Sequence, residues 1–210
     1  MKFIPNLEDD EINSFMKVIK NFGEIINEEN IYISNLDNSL IIKNNIKYNK
    51  ILKAWINPNV KIKAELLYRL TREGYKISKF HELCDNKSPT LTLFQLDNDT
   101  KGGIFTPSSW DTKSETKTDT ETFMFNLNKN EKYKKINNDK RSIWCTNDFG
   151  PWTVNFGFYK SNQMKKIEHR GIKINIDYMR GSEILSNNSE DTKYFDVEEV
   201  EVYQIIEIFN

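Results

Sequence analysis

The chain has 210 residues, a formal net charge of −1 and 38% hydrophobic residues, with aromatics at 12%. That length supports one large domain or a domain with an appendage, and so balanced a charge gives no global drive toward nucleic acid or other polyanions. Two cysteines exclude a disulfide framework, and the sequence carries neither a leader-like N-terminus nor an apolar run long enough to span a membrane. The expectation is a reduced, cytoplasmic protein with no integral membrane segment.

The strongest helical pattern runs from Asp9 to Ile26. There Ile12, Phe15, Met16, Ile19, Phe22 and Ile26 recur at three- and four-residue spacing. Asp9 or Asp10 caps it, and Glu11 suits its positive end. Ile31 to Ile33 read as a short extended piece, Asn35 to Asn38 as a turn, and Leu40 to Ile42 as a second apolar run. A second helix is predicted from Ile46 to Ile56, with Tyr48, Ile51, Leu52 and Trp55 on one face and Pro58 just past its end. These readings divide the chain into an N-terminal helical extension, residues 1–38, packing on or beside a main domain of residues 39–210.

From Lys63 onward the sequence is strand-rich. Leu66 to Leu70 form a strand whose turn ends at Gly74, and Ile77 to Cys84 form a short helix. Thr90 to Leu96 alternate as a strand, Asp97-Asn98-Asp99 open a hairpin, and Gly102-Gly103 supply positive φ there before the return strand at Ile104 to Thr106. Ser108 to Thr120 read as a polar loop, and Glu121 to Leu127 as a strand with Phe123, Phe125 and Leu127 on one face. Short strands follow at Tyr133 to Ile136 and Ser142 to Cys145, then a turn at Asp148 to Pro151 and a strand at Val154 to Phe158. Alternating segments at Met164 to His169 and Ile172 to Ile176 precede a loop from Gly181 to Asp191. Phe195 to Ile208 close the chain as a strand. In it Val197 is out of phase with Val200 and Val202, which predicts a bulge at Glu198-Glu199. Many short strands with turn signals give an α+β fold: an antiparallel β-sandwich with a few flanking helices.

Chemistry is sparse. His81 and Cys84 lie one helical turn apart, but with Cys145 and His169 their spacing matches no zinc grammar. Cys145 sits in an apolar strand beside Trp144, a setting that quiets a thiol. The Asp97 to Gly102 run fails as a calcium loop because Lys101 takes a ligand position. Lys132, Lys134 and Lys135 fit an exposed strand face better than a nucleic-acid surface. No catalytic, cofactor-binding or metal residue is assigned. Glu201, flanked by Val200 and Val202, is expected to sit partly buried. Arg72 is expected to bond turn carbonyls or a carboxylate such as Glu121 or Glu201.

Several motifs recur in one order. They are Leu66-Leu67-Tyr68, Thr71-Arg72-Glu73-Gly74, the apolar strand Leu91 to Leu96, and Gly102-Gly103-Ile104-Phe105 with Trp110. The strand at Glu121 and the closing Glu201-Val202-Tyr203 complete the set. In this order the chain resembles the TLDc domain family, which includes oxidation-resistance proteins, across Leu40 to Ile206. Thr71 and Glu73 stand where the family has Ser and Asp, and a glycine-rich central run is reduced to Gly150 and Gly157. The resemblance implies a sandwich fold and a non-catalytic protein-interaction or regulatory module. It further implies oxidative-stress protection or regulation of the vacuolar proton-pumping ATPase, with ATPase subunits as partners. The alternatives are a structural component of a cytoskeletal, axonemal or membrane-complex assembly, and an enzyme of unknown reaction. The structural or interaction candidates are Arg72, Glu73, Gly74, Gly102, Gly103, Trp110, Glu121 and Glu201.

Overall fold

The computed structural model describes residues 31–134, 142–153, 156–160, 172–175 and 194–209. The predicted helix from Asp9 to Ile26, the segment from Met164 to His169 and the loop from Gly181 to Asp191 lie outside the described residues.

Helix α1 spans Ile46–Ile56, the bounds read from its apolar spacing. Asn45 caps it by accepting the Tyr48 amide at 3.2 Å, and Leu52 is buried beneath it. Two ammonium groups close its other end: Lys53 Nζ donates to Asn57 O at 2.5 Å and Lys132 Nζ to Trp55 O at 2.7 Å. Cations there meet the negative end of the helix dipole. Lys132 also lies 4.0 Å over the Phe123 ring, so it is not the freely solvated lysine that the sequence suggested. A single helical turn, α2 (Leu70–Glu73), follows the first long strand, and α3 (Ile77–Cys84) turns Ile77, Phe80 and Cys84 inward.

The strands are β1 (Ile33–Ser34), β2 (Lys61–Arg69), β3 (Thr90–Leu96), β4 (Lys101–Thr106), β5 (Glu115–Lys117) and β6 (Phe123–Asn126). They continue with β7 (Glu131–Lys134), β8 (Ile143–Cys145), β9 (Phe149–Thr153), β10 (Phe156–Lys160), β11 (Ile172–Asn175) and β12 (Tyr194–Ile208). Several differ from the sequence reading. The polar loop after Ser108 contains β5, and β9 begins where a turn through Pro151 was expected. Residues Leu40 to Ile42 are turn, not extended, although Ile41 and Ile42 are buried. β2 starts earlier, and Leu70 opens α2 instead of ending the strand.

The strands form an antiparallel β-sandwich whose two sheets share β12. The first sheet runs β1-β2-β12-β3-β4-β6-β7 and the second β5-β8-β9-β10-β11-β12. Among these ladders only the short β1–β2 pair is parallel. The early part of β12 pairs with β11 and the later part with β2, while β3 follows it on its other side. One apolar cluster fills the space between the sheets: Phe94, Ile104, Val200 and Val202 from the first, Ile143 and Phe158 from the second, and Phe80 from α3. A second cluster covers the opposite face of the first sheet, where Leu91, Leu93, Phe125 and Ile205 meet Leu52 of α1 and Leu36, Ile41 and Ile42 of the preceding segment. β3 is therefore buried on both faces along its whole length, Thr90, Thr92 and Gln95 included.

Two register shifts set which side chains face which cluster. Along β12 the pairing with β3 shifts between Val197 and Glu199, the bulge expected from valine phase, and Val197, Val200 and Val202 all enter the inter-sheet core. Between β12 and β2 the register shifts once more, with Val202 opposite Tyr68 and Tyr203 opposite Leu66. The extra residue is Leu67. Ile62 and Ala64 face α1, whereas Tyr68 is turned into the sandwich and Arg69 is brought opposite Glu201.

Candidate functional site

An open cleft of about 530 Å³ lies at the end of the first sheet that carries the Glu198-Glu199 bulge. One wall is the 37–44 segment, with Asp37, Ser39, Leu40 and Lys43; the other is Thr71, Gln95, Glu198 and Glu199. Lys43 and Asn44 on the rim both have positive φ, 48° and 60°, a conformation uncommon for residues with a side chain. The lining holds three carboxylates, from Asp37, Glu198 and Glu199, against the single ammonium of Lys43.

Beneath this lining sits Glu201, with 0% exposure. Its Oε1 accepts from Arg69 Nε at 2.8 Å and the Leu40 amide at 3.0 Å, and lies 2.6 Å from Arg69 Nη2 in an ion pair. Its Oε2 accepts from Ser39 Oγ at 2.5 Å and Tyr203 Oη at 3.1 Å. Burial opposes the charge of Arg69, but Glu201 outweighs that and holds the guanidinium above its ordinary value. Burial first, and then the Glu201 charge, push the Tyr203 phenol up, so it stays protonated and donating. Arg69 Nη2 also donates to Asn38 O at 2.8 Å, and Ser39 Oγ accepts the amides of Ile41 and Ile42. One buried carboxylate thus ties the 38–42 segment to two strands. Glu199, 6% exposed, is similarly engaged: it accepts the Thr71 amide at 3.2 Å, the Val200 amide at 2.9 Å and the Thr71 hydroxyl. The more open carboxylates are Asp37 and Glu198, the latter receiving Gln95 Nε2 at 3.0 Å.

Arg72 does not reach Glu121 or Glu201. Its side chain is half exposed and pairs with its neighbour Glu73; the cross-strand partner of Glu201 is Arg69. The physical reason is the Leu67 bulge, which places Arg69 on the Glu201 face before the chain turns into α2. Glu121 is exposed and takes only the Thr120 hydroxyl, at 3.2 Å, among the hydrogen bonds of the described residues. Gly74, where the turn after β2 ends, has positive φ, +83°, and its carbonyl accepts Tyr68 Oη at 2.8 Å. Gly102 and Gly103 correct the sequence reading: they lie inside β4, not in the turn, and neither has positive φ. Space excludes a side chain instead. A Cβ on Gly103 would lie 2.0 Å from Thr92 O and 2.5 Å from Phe125 Cζ; one on Gly102 would lie 2.5 Å from Phe125 O. Trp110 is a core residue, 1% exposed, donating from Nε1 to Thr90 Oγ1 at 2.9 Å.

His81 and the thiols stand apart from this cleft. His81 Nδ1 lies 2.8 Å from Asp85 Oδ1, while Nε2 lies 2.9 Å from Phe149 O and 3.0 Å from Thr146 O. The ring ties α3 to the turn before β9. Cys84 and Cys145 are buried free thiols, each pushed up chiefly by burial. His169 lies outside the described residues.

The sequence reading missed Arg69, Ser39, Glu199 and Tyr203. A signal for Arg69 existed: adjacent Leu66 and Leu67 break strict alternation, as Val197 does in β12, and a bulge there would have moved Arg69 to the Glu201 face. Ser39 carried no comparable signal, because its contact with Glu201 spans 162 positions.

No helix among the described residues is long and apolar enough to cross a membrane. A search of curated proteins returns no match. The TLDc domain model matches residues 36–206, and the chain belongs to the TLDc domain family.

Proposed function

We propose that this TLDc-type chain is a non-catalytic interaction and regulatory module, and that its partner docks on the rim of the cleft at the bulged end of the first sheet. One observation carries the reading: the deep carboxylates, Glu201 and Glu199, are taken up by protein donors, which leaves the outer charges of Asp37, Lys43 and Glu198 to face outward. A general base needs a free lone pair within reach of a substrate proton; both oxygens of Glu201 are engaged within the protein, and Glu199 is held by Thr71 and the Val200 amide. Membership of the TLDc family supports a protein partner. We take the cytoplasm as its compartment, and subunits of the vacuolar proton-pumping ATPase as the partner to test first. On this reading, protection against oxidative stress is indirect, consistent with two buried thiols whose ionisation is suppressed.

The test is affinity capture from native lysate with the wild-type chain and with an Asp37→Lys/Glu198→Lys variant of matched thermal stability. Recovery of ATPase subunits by the wild type and their loss with the variant is the expected result. Equal recovery by both would move the interface elsewhere. Catalytic destruction of peroxide by the purified chain, without added cofactor, would reject the non-catalytic reading.

A further inference from the structure

We draw no further inference here: the strongest candidate, the acidic lining of the cleft between the 37–44 segment and the Glu198-Glu199 bulge, belongs to the site already described, and its buried polar side chains, Ser39, Gln95 and Glu199, already have partners within the protein.

Discussion

Burying a carboxylate costs several kcal/mol unless its charge is matched and its lone pairs are filled. Glu201 meets both conditions, so removing either member of the pair strands the other. Glu201→Ala is expected to lower stability by about 3–5 kcal/mol in urea unfolding. Arg72→Ala removes a half-exposed pair with the adjacent residue and is expected to shift stability by less than about 0.5 kcal/mol. If the two variants ranked the other way, the assignment of Arg69 as the partner of Glu201 would be wrong. The glycines separate in the same way. Gly74→Ala meets open space and bears only the strain of its backbone angles, φ 83° and ψ 175°, about 1–3 kcal/mol. Gly103→Ala drives a methyl into the Thr92 carbonyl, which cannot swing aside, and is expected to cost about 3 kcal/mol or more. Equal losses at both positions would show that β4 and its neighbours shift to make room at Gly103. Thr92 offers a gain: its buried hydroxyl has no hydrogen-bond partner among the described residues, so Thr92→Val is expected to raise stability by about 1 kcal/mol.

At the scale of elements, the irregularities decide what meets at the cleft. A β12 without its bulge would put Val200 and Val202 on the face opposite Val197, leaving one part of the strand with its apolar side chains turned out of the inter-sheet core. The bulge keeps them together and leaves Glu201 facing the other side, under the 38–42 segment. That segment has no ladder of its own. The Ser39 amide donates to Leu36 O, but the next three backbone donors end on side chains: the Leu40 amide on Glu201, and those of Ile41 and Ile42 on Ser39 Oγ. Its anchoring is therefore local as well as apolar. Ser39→Ala takes the acceptor from the Ile41 and Ile42 amides but leaves the Arg69–Glu201 pair in place. Hydrogen exchange is expected to show protection at Ile41 and Ile42 falling by about 1 kcal/mol, with the central strands β3 and β4 affected less. Uniform loss across all strands would mean that Ser39 supports the whole fold and not this segment.

For the whole molecule, the fold class was legible because turn residues and apolar runs recur locally. Helix α1 was read to the residue from its spacing and Pro58, and one of the two bulges was visible in valine phase. The cleft was not legible, since it is closed by contacts between residues far apart in sequence, such as Ser39 with Glu201 and Thr71 with Glu199. Pattern along a chain records which face a side chain takes, not which distant side chain it meets there. Gly102-Gly103 mislead for a related reason: a glycine needed for space and one needed for positive φ are the same letter. The response to pH likewise belongs to the whole molecule, because it sums groups in different elements. Burial would raise the carboxyls of Asp111 and Asp119, but hydrogen bonds outweigh it and hold both below the usual range. Lys117 and the Lys113 amide act on Asp111; Ser108, Thr122 and the Glu121 amide act on Asp119. Their stabilisation is fully present above the unfolded carboxylate value, about 4, and is lost as pH falls through the lower folded values. At the other limit, burial pushes Cys84, Cys145, Tyr68 and Tyr203 up, so the folded state keeps their protons when the unfolded chain begins to release them. Stability is then lost as pH rises above the unfolded thiol value, about 8.5, and further above about 10 as the phenols join. Thermal melts from pH 2 to 10.5 are expected to show a plateau between these limits. Asp119→Asn should lower the plateau and flatten the acid side, and Cys84→Ser with Cys145→Ser should flatten the start of the alkaline side. An acid limb unchanged in slope by Asp119→Asn would show that the hydrogen bonds of the Asp119 turn do not carry it.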